Sequence, residues 1–222
     1  VLADWNDAAL QHEAARLGDA TLAQHMDVTD RAAWQSAKQA AEKAFGPVEI
    51  LINNAGLAPG PYELADMPPE HFDQLVAVMV TGMFNGIHTF AGGMRERGEG
   101  HILNTSSMAG LGGFPRLGAY STSKFAIVGM SEVLKAEMEP HGVGVSVLCP
   151  GLVRTNLGSS WRRDDRPSPM DAGLDPSIVG AQVVEAIRHN EFYVITHGAH
   201  GPAVAARAAR LQQAFDAAPQ RS

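Results

Sequence analysis

The chain has 222 residues, of which 45% are hydrophobic and 18% are charged, and its formal net charge is −7. A chain of this size can bury one substantial core, so we expect a single domain over residues 1–222. The acidic balance and the scattering of only 17 Lys and Arg residues argue against nucleic acid and anionic membrane as partners, and they favour a small molecule.

The number of cysteines and the length of the apolar runs indicate in which cellular compartment the protein is found. Cys149 is the only cysteine, and it lies inside the apolar run 143–149, which favours a buried core thiol. Without a disulfide framework the expected location is the cytoplasm. We expect no apolar stretch that approaches the ~20 residues of a membrane span, and the first residues lack the pattern of a secretion signal.

The first part of the chain alternates short apolar runs with stretches of helical periodicity. Strands are predicted over 1–4, 21–28 and 48–52, and helices over 6–17 and 31–45. The last of these strands leads directly into Asn53-Asn54-Ala55-Gly56, which combines amide side chains with small residues. Small residues at a strand end allow the backbone to approach a ligand closely.

The second part begins with a long apolar helix. Pro68-Pro69-Glu70 is typical of a helix start, and residues 70–97 are apolar on more than one face. Further elements are predicted in the order strand 101–107, helix 120–139, strand 143–149, helix 176–189, strand 192–196 and helix 203–215.

Tyr120 and Lys124 carry the strongest chemical signal. They are four residues apart, which places both on one face of a helix, one turn from each other. A cation close to a phenol favours the phenolate, so Lys124 would lower the tyrosine pKa from its ordinary value near ~10. Ser107 ends the strand 101–107, at the edge where open α/β sheets bind ligands. The alternative is an ordinary surface pair on a helix with a serine that caps a strand end.

Tyr120-x-x-x-Lys124, the serine thirteen positions earlier and Asn53-Asn54-Ala55-Gly56 together resemble the short-chain dehydrogenase/reductase family of the classical type. The resemblance implies an α/β fold, a Rossmann-type doubly wound parallel sheet with helices on both faces. It also implies an NAD(P)-dependent oxidoreductase that interconverts a hydrophobic secondary alcohol and its ketone. Tyr120 would be the general acid/base, Ser107 would hold the substrate oxygen, and Lys124 would tune Tyr120 and hold the nicotinamide ribose.

The resemblance also implies which residues bind the cofactor. Asp4 stands where the family carries an acidic residue that accepts from the ribose hydroxyls and repels a 2′-phosphate, which implies NAD rather than NADP. The remaining expected contacts of the cofactor are Asp27, Val28, Asn54, Ala55, Gly56, Tyr120, Lys124, Pro150, Gly151, Val153 and Thr155. Asp4 and Asp27 could instead cap the helices that follow them.

Two departures from the family pattern affect these expectations. The printed sequence lacks the first strand and the glycine-rich turn that holds a pyrophosphate, so the first βα unit of the fold is missing and two strand edges should be exposed. The plainer explanation is that residues before Val1 belong to the protein. Met79 stands where the family usually has an asparagine that bends the helix and holds a water; either a neighbouring carbonyl replaces that role or turnover is reduced.

The substrate side is expected to be apolar. Ser107 would hold the substrate, and the hydrophobic side chains expected around it are Leu111, Phe114, Trp161 and Met170. Residues 156–175 form a polar stretch with Pro and Gly, positioned to act as a substrate lid. His197 and His200 lack a cysteine or a carboxylate at ligand spacing, so we expect loop histidines and no metal.

Two further expectations concern assembly and the alternatives. The resemblance implies a homodimer or homotetramer that packs through helices 70–97 and 120–139. One alternative function is an NADP-dependent ketone reductase, which Asp4 opposes. Another is a non-catalytic dehydrogenase-fold binding or scaffold protein, which Met79 and the missing phosphate loop favour and the Ser107, Tyr120 and Lys124 set opposes.

Overall fold

Parallel strands and connecting helices make up the chain, and the computed structural model describes residues 1–60, 62–157 and 169–219. The strands are β1 (Leu2–Asp4), β2 (Ala23–His25), β3 (Ile50–Asn53), β4 (Gly100–Thr105), β5 (Val143–Cys149) and β6 (Tyr193–Ile195). The helices are α1 (Asp7–Leu17), α2 (Arg31–Phe45), α3 (Pro69–Val76), α4 (Gly82–Arg97), α5 (Gly118–Met138), α6 (Pro176–His189) and α7 (Gly201–Asp216).

The strands form two sheets, and every described strand pair is parallel. One sheet has the order β1-β2 and the other the order β3-β4-β5-β6. β1 and β3 each present an unpaired edge within the described part of the chain, and Ile50 and Ile52 of β3 are about half exposed. Exposed edges on these two strands are what the sequence pattern predicts for this type of sheet. The predicted α/β architecture is therefore confirmed.

The core lies under β4 and β5, against which α5 packs. β5 is buried along its whole length, which explains why its residues are nearly all apolar. Buried polar side chains cross this core as a hydrogen-bonded chain: Asn53 donates to the Asn104 side chain at 2.9 Å, and Asn104 donates to the Ser131 hydroxyl at 3.0 Å. These bonds tie β3, β4 and α5 together, so the strand ends that carry polar side chains are held in register.

The long apolar helix is divided into three segments. α3 and α4 are joined by a π-helical turn at Ala77–Thr81, in which the Gly82 amide donates to the Ala77 carbonyl five residues earlier. The whole stretch Pro69–Arg97 has a mean hydropathy of 1.4 in its most apolar part and is long and apolar enough to cross a membrane. The expectation that no such stretch exists is wrong. The physical reason is that 56% of that apolar part is buried inside the protein, as in a core helix.

Candidate active site

Ser107 lies two residues beyond the end of β4 and begins a short 3₁₀ turn, Met108–Gly110. Its hydroxyl accepts from the Ala109 amide at 3.1 Å and donates to the Pro150 carbonyl at 3.4 Å. The predicted strand extends to Ser107, whereas the observed strand stops at Thr105, because the serine side chain caps the turn that follows. The hydroxyl therefore lies at the carboxyl edge of the sheet, between β4 and the loop after β5.

Lys124 lies one turn after Tyr120 on α5, as the spacing predicts. Its ammonium donates to the carbonyl of Thr105 at 2.9 Å and lies 5.4 Å from the centre of the Tyr120 ring. Lys124 is 4% exposed, and Tyr120 is partly buried. The lysine is thus anchored at the end of β4, where its charge faces the tyrosine ring.

Close backbone contact fixes α5 against the end of β4. Ser106 donates to the Lys124 carbonyl at 2.8 Å. A Cβ atom at Gly110 would lie 2.4 Å from Ser106 Oγ and 2.6 Å from the Lys124 carbonyl oxygen, so only glycine fits there. The turn after Ser107 can therefore approach the helix that carries Tyr120.

The electrostatics of this group differ from the expectation. Burial raises the pKa of Tyr120 above its ordinary value of 10.0, and the Ser107 hydroxyl, which faces it, offsets part of that rise. The expected lowering of the tyrosine pKa by Lys124 is therefore wrong for the protein without cofactor, because desolvation of the phenolate is the larger effect.

Burial also changes the pKa of Lys124. Desolvation lowers the pKa of Lys124 to about 8, and Cys149 acts in the opposite direction. The Cys149 thiol at the end of β5 is fully buried, and burial raises its pKa to about 11, an effect that Lys124 partly offsets. Cys149 is accordingly a neutral neighbour of the lysine and an inert core thiol, as expected.

The two expected cofactor aspartates are exposed, and neither caps a helix. Asn6 caps α1 and Asp30 caps α2. Asp4 ends β1 and accepts from the Asn6 amide at 2.8 Å, and Asp27 accepts from the Thr29 amide and hydroxyl at 2.8 Å. The helix-cap alternative is wrong for both residues, because each aspartate accepts hydrogen bonds within a turn that precedes the helix, and another residue caps the helix.

The segment after β3 faces outward next to Lys124. Asn54 and Ala55 are exposed and Gly56 is partly buried, whereas Asn53 points into the core. A Cβ atom at Gly56 would lie 3.8 Å from the Lys124 ammonium and 3.9 Å from Met79 Sδ. The Asn53-Asn54-Ala55-Gly56 motif therefore divides into one residue that holds the sheet and three at its carboxyl edge.

Met79 lies in the π-helical turn and is fully buried. The helix irregularity at this position is present although the family's usual asparagine is not. Met79 and Lys124 both border Gly56, so an apolar thioether lies near the lysine where the family pattern has a polar amide. The π turn does not depend on an amide side chain here.

Val28, which follows β2, is used in the fold. Its carbonyl accepts from the Trp34 indole and from the Asn85 side-chain amide at 2.8 Å and 3.1 Å.

The segment after β5 is held by two contacts. Val153 pairs with Leu174, and the Thr155 hydroxyl is exposed and accepts from the Leu157 amide at 3.4 Å. Each expected cofactor residue lies on α5, follows the carboxyl end of a strand or, in the case of Asp4, ends a strand.

The expected substrate residues divide into three groups. Phe114 is 38% exposed and contacts the His200 ring edge-on, with ring centres 6.4 Å apart. Leu111 packs on the main core, and Met170 is partly buried in the 3₁₀ turn Pro169–Ala172. Trp161 and most of the expected lid, 158–168, lie outside the described residues.

One functional candidate was not predicted from the sequence. His197 accepts from the Gly151 amide at 3.2 Å, so it contacts the segment expected to bind nicotinamide. Nothing in the sequence marks this contact, because the partner is a backbone amide 46 residues earlier in the chain. Within residues 1–60, 62–157 and 169–219, no group of three or more His, Cys, Asp or Glu side chains could hold a metal ion.

Comparison with known proteins gives consistent relatives. A family model described as short chain dehydrogenase matches residues 1–166. An inactive 2-(S)-hydroxypropyl-CoM dehydrogenase 2 of Xanthobacter autotrophicus is 37% identical over 77% of this chain and 74% of its own length. A 3-alpha-(or 20-beta)-hydroxysteroid dehydrogenase of Mycobacterium bovis is 36% identical over 74% of this chain, and the matched part spans 63% of that relative.

A solved structure agrees over the whole chain. The short chain dehydrogenase/reductase from Burkholderia phymatum in complex with NAD is 30% identical, has a TM-score of 0.87, and is matched over 100% of this chain and 87% of that one. Taken with the ordered Ser107, Tyr120 and Lys124 group, these matches show that the chain belongs to the short-chain dehydrogenase/reductase family, whose members are NAD(P)-binding oxidoreductases of Rossmann-type fold.

Proposed function

We propose that this protein interconverts a hydrophobic secondary alcohol and its ketone, with NAD as the preferred cofactor. One observation carries the proposal. The hydroxyl of Ser107, the phenol of Tyr120 and the ammonium of Lys124 meet at the carboxyl end of β4, and Lys124 is held there by the Thr105 carbonyl at 2.9 Å. A hydroxyl and a phenol that face each other can share one substrate oxygen.

Each of the three side chains has a distinct task. In the complex with cofactor and substrate, Tyr120 as phenolate takes the proton from the alcohol oxygen in oxidation, and as neutral phenol it returns a proton to the ketone oxygen in reduction. With substrate bound, the Ser107 hydroxyl turns from the Pro150 carbonyl to the same oxygen and stabilises the negative charge that develops on it. Lys124 is fixed by Thr105, and its remaining N–H groups are available to a cofactor ribose, as the resemblance implies.

Several residues suit NAD. Bound nicotinamide supplies or accepts the hydride. Asp4 is exposed at the end of β1 and uses one carboxylate oxygen for the Asn6 amide, so the other can accept from a ribose hydroxyl while the charge repels a 2′-phosphate. Asp27, Asn54 and Ala55 are exposed just beyond the carboxyl ends of β2 and β3. The glycine-rich phosphate turn is not part of the printed sequence.

A hydrophobic substrate is favoured by two observations. The Phe114 ring is partly exposed in the loop between Ser107 and α5. One relative carries the name of a hydroxysteroid dehydrogenase. The test is to incubate the purified protein and NAD with hydroxysteroids, other alicyclic secondary alcohols and short-chain alcohols, and to follow reduced nicotinamide by absorbance. Turnover of the bulky alcohols supports the proposal, and turnover of the short ones alone contradicts the substrate class.

The non-catalytic alternative also has an observation in its favour, since one relative is named as inactive. Titration calorimetry with NAD separates the two functions. Binding together with turnover supports the enzyme. Binding of NAD without turnover of any alcohol or ketone in either direction supports a dehydrogenase-fold binding protein. A higher kcat/KM with NADP than with NAD would instead support the NADP-dependent reductase.

Assembly and location are part of the same proposal. Phe84 on α4 and Val133 on α5 are 44% and 58% exposed, which supports packing of these two helices against a second copy. Light scattering of the wild type and of Val133→Asp tests this: we expect a dimer or tetramer that dissociates in the variant, and a monomeric wild type would contradict it. The cytoplasmic location stays a prediction, which fractionation of the native cells tests; recovery outside the cytoplasmic fraction would contradict it.

A further inference from the structure

The peptide group between Pro150 and Gly151 is held from both ends. On one side, the Pro150 carbonyl accepts from the Met108 amide at 2.9 Å and from the Ser107 hydroxyl at 3.4 Å. The Pro150 carbonyl, to which Ser107 donates, and the Gly151 amide belong to one planar peptide group. A contact that fixes the Gly151 amide therefore also fixes the direction of the Pro150 carbonyl.

The other end is fixed by side chains of the loop after β6. The Gly151 amide donates to Thr196 Oγ1 and to His197 Nδ1, each at 3.2 Å. The same two side-chain atoms lie 2.6 Å apart. A backbone amide can only donate, so the bond from Gly151 to Nδ1 requires the tautomer with the ring proton on Nε2.

These bonds replace the sheet ladder at the place where it ends. β5 and β6 pair in parallel register as far as Cys149 and Ile195. One residue further along β5, Pro150 has no amide, and the next amide, that of Gly151, is bonded by side chains instead of by a backbone carbonyl. His197 therefore continues the hydrogen bonding beyond the end of the sheet, in the loop that the resemblance assigns to nicotinamide binding.

The imidazole also packs directly on Gly151. A Cβ atom at Gly151 would lie 2.7 Å from both Cγ and Nδ1 of His197. No other residue type leaves room for the ring, so the glycine and the histidine form a matched pair. The His197 ring also contacts the His200 ring edge-on, with centres 6.4 Å apart, and His200 in turn contacts Phe114.

We propose that His197 is a positioning residue for the reaction, a role that rests on the proposed function. By accepting from the Gly151 amide together with Thr196 Oγ1, Nδ1 helps to fix the Pro150–Gly151 peptide and through its carbonyl the oxygen of Ser107. This contact holds the Ser107 oxygen beside Tyr120, and the hydroxyl turns its proton from the Pro150 carbonyl to the substrate oxygen when substrate binds. His197 does not touch the reacting atoms, and its effect passes through one peptide plane.

Two substitutions separate the hydrogen bond from the packing. His197→Asn keeps an acceptor oxygen close to the place of Nδ1, whereas His197→Phe keeps a ring on Gly151 without an acceptor. We expect His197→Phe to lower kcat by roughly ten- to hundredfold while the Kd for NAD stays within about threefold of the wild type, and His197→Asn to keep most of the activity. Wild-type kcat in His197→Phe would overturn the proposal, as would an equal loss in the two variants.

A second readout does not depend on turnover. Hydrogen exchange of the Gly151 amide, measured by NMR on the cofactor-free protein, should be about tenfold faster in His197→Phe than in the wild type and near wild type in His197→Asn. Unchanged exchange in His197→Phe would overturn the positioning role. If exchange behaves as expected but the wild type turns over no alcohol, then the proposed function fails and the contact between His197 and Gly151 stands.

Discussion

The ammonium of Lys124 lies 5.4 Å from the centre of the Tyr120 ring, and its hydrogen bond goes to the backbone of β4. A cation in this position is attracted by the face of the ring. It holds the two side chains together, but it does not outweigh the cost of burying a phenolate, and the pKa of Tyr120 is raised. A lowered pKa would therefore have to arise when cofactor and substrate bind.

The titration of Tyr120 is the first prediction. Because burial raises its pKa above 10.0, Tyr120 should contribute no phenolate below about pH 9 in the cofactor-free protein. Ultraviolet difference spectra of the wild type and of Tyr120→Phe, recorded between neutral and alkaline pH, measure this contribution, since Tyr62 and Tyr193 remain in both. A phenolate signal that appears near neutral pH in the wild type alone would contradict the effect of burial.

The second prediction concerns cofactor choice and Asp4. Asp4→Ser removes the negative charge at the end of β1, so the ratio of kcat/KM for NAD to that for NADP should fall by at least about tenfold. Asp7→Ser is the matched control, because it removes an exposed carboxylate from α1, where Asp7 pairs with His25. An unchanged ratio in Asp4→Ser, or an equal change in both variants, would show that Asp4 does not meet the ribose.

The third prediction concerns the thioether beside Lys124. Met79→Asn places an amide at a fully buried position, so we expect the free energy of unfolding to fall by ~1–3 kcal/mol. We also expect kcat to rise, because the amide offers a polar partner near the lysine. Met83→Asn places the same amide one turn further along the helix and should cost stability without a gain in kcat. If Met79→Asn leaves kcat unchanged or lowers it, Met79 does not limit turnover.

The fourth prediction concerns a buried histidine at the opposite end of β4. His101 is 6% exposed and its ring bonds Ser146 Oγ at 2.8 Å, and burial lowers its pKa below the ordinary value of 6.5. The unfolded chain therefore binds a proton at this residue before the folded one does. Stability should fall as the pH drops below 6.5, by at most ~1.4 kcal/mol per pH unit from this group.

Chemical denaturation at about pH 7.5 and pH 5.5 measures that effect. His101→Gln should lose part of the pH dependence seen in the wild type, whereas His12→Gln, at an exposed position on α1, should keep all of it. The same pH dependence in His101→Gln and in the wild type would contradict a depressed pKa at His101.

Periodicity and caps made much of the fold predictable. The bounds of α2, β5 and α6 agree with the predicted 31–45, 143–149 and 176–189, because each is a strongly patterned stretch with a clear end signal. The association of Ser107, Tyr120 and Lys124 could also be predicted, since spacing on a helix and the end of a strand are local features.

Other features depend on long-range contacts that local patterns do not reveal. The π-helical turn at Ala77–Thr81 follows from how the long helix packs, and apolar residues alone do not mark it. The direction of the Tyr120 pKa is set by burial in the folded protein. The contact of His197 with Gly151 joins two strand ends that are 46 residues apart in sequence.

The central claim is that Tyr120 moves the proton at the substrate oxygen. Tyr120→Phe removes that one hydroxyl, and Tyr193→Phe, which removes a phenol bonded to Glu132 on the outer side of α5, is the matched control. The direct measurement is the rate of NAD reduction with the best alcohol, alongside the Kd for NAD. We predict that Tyr120→Phe abolishes turnover with little change in NAD affinity while Tyr193→Phe stays close to wild type; turnover retained in Tyr120→Phe would contradict the account.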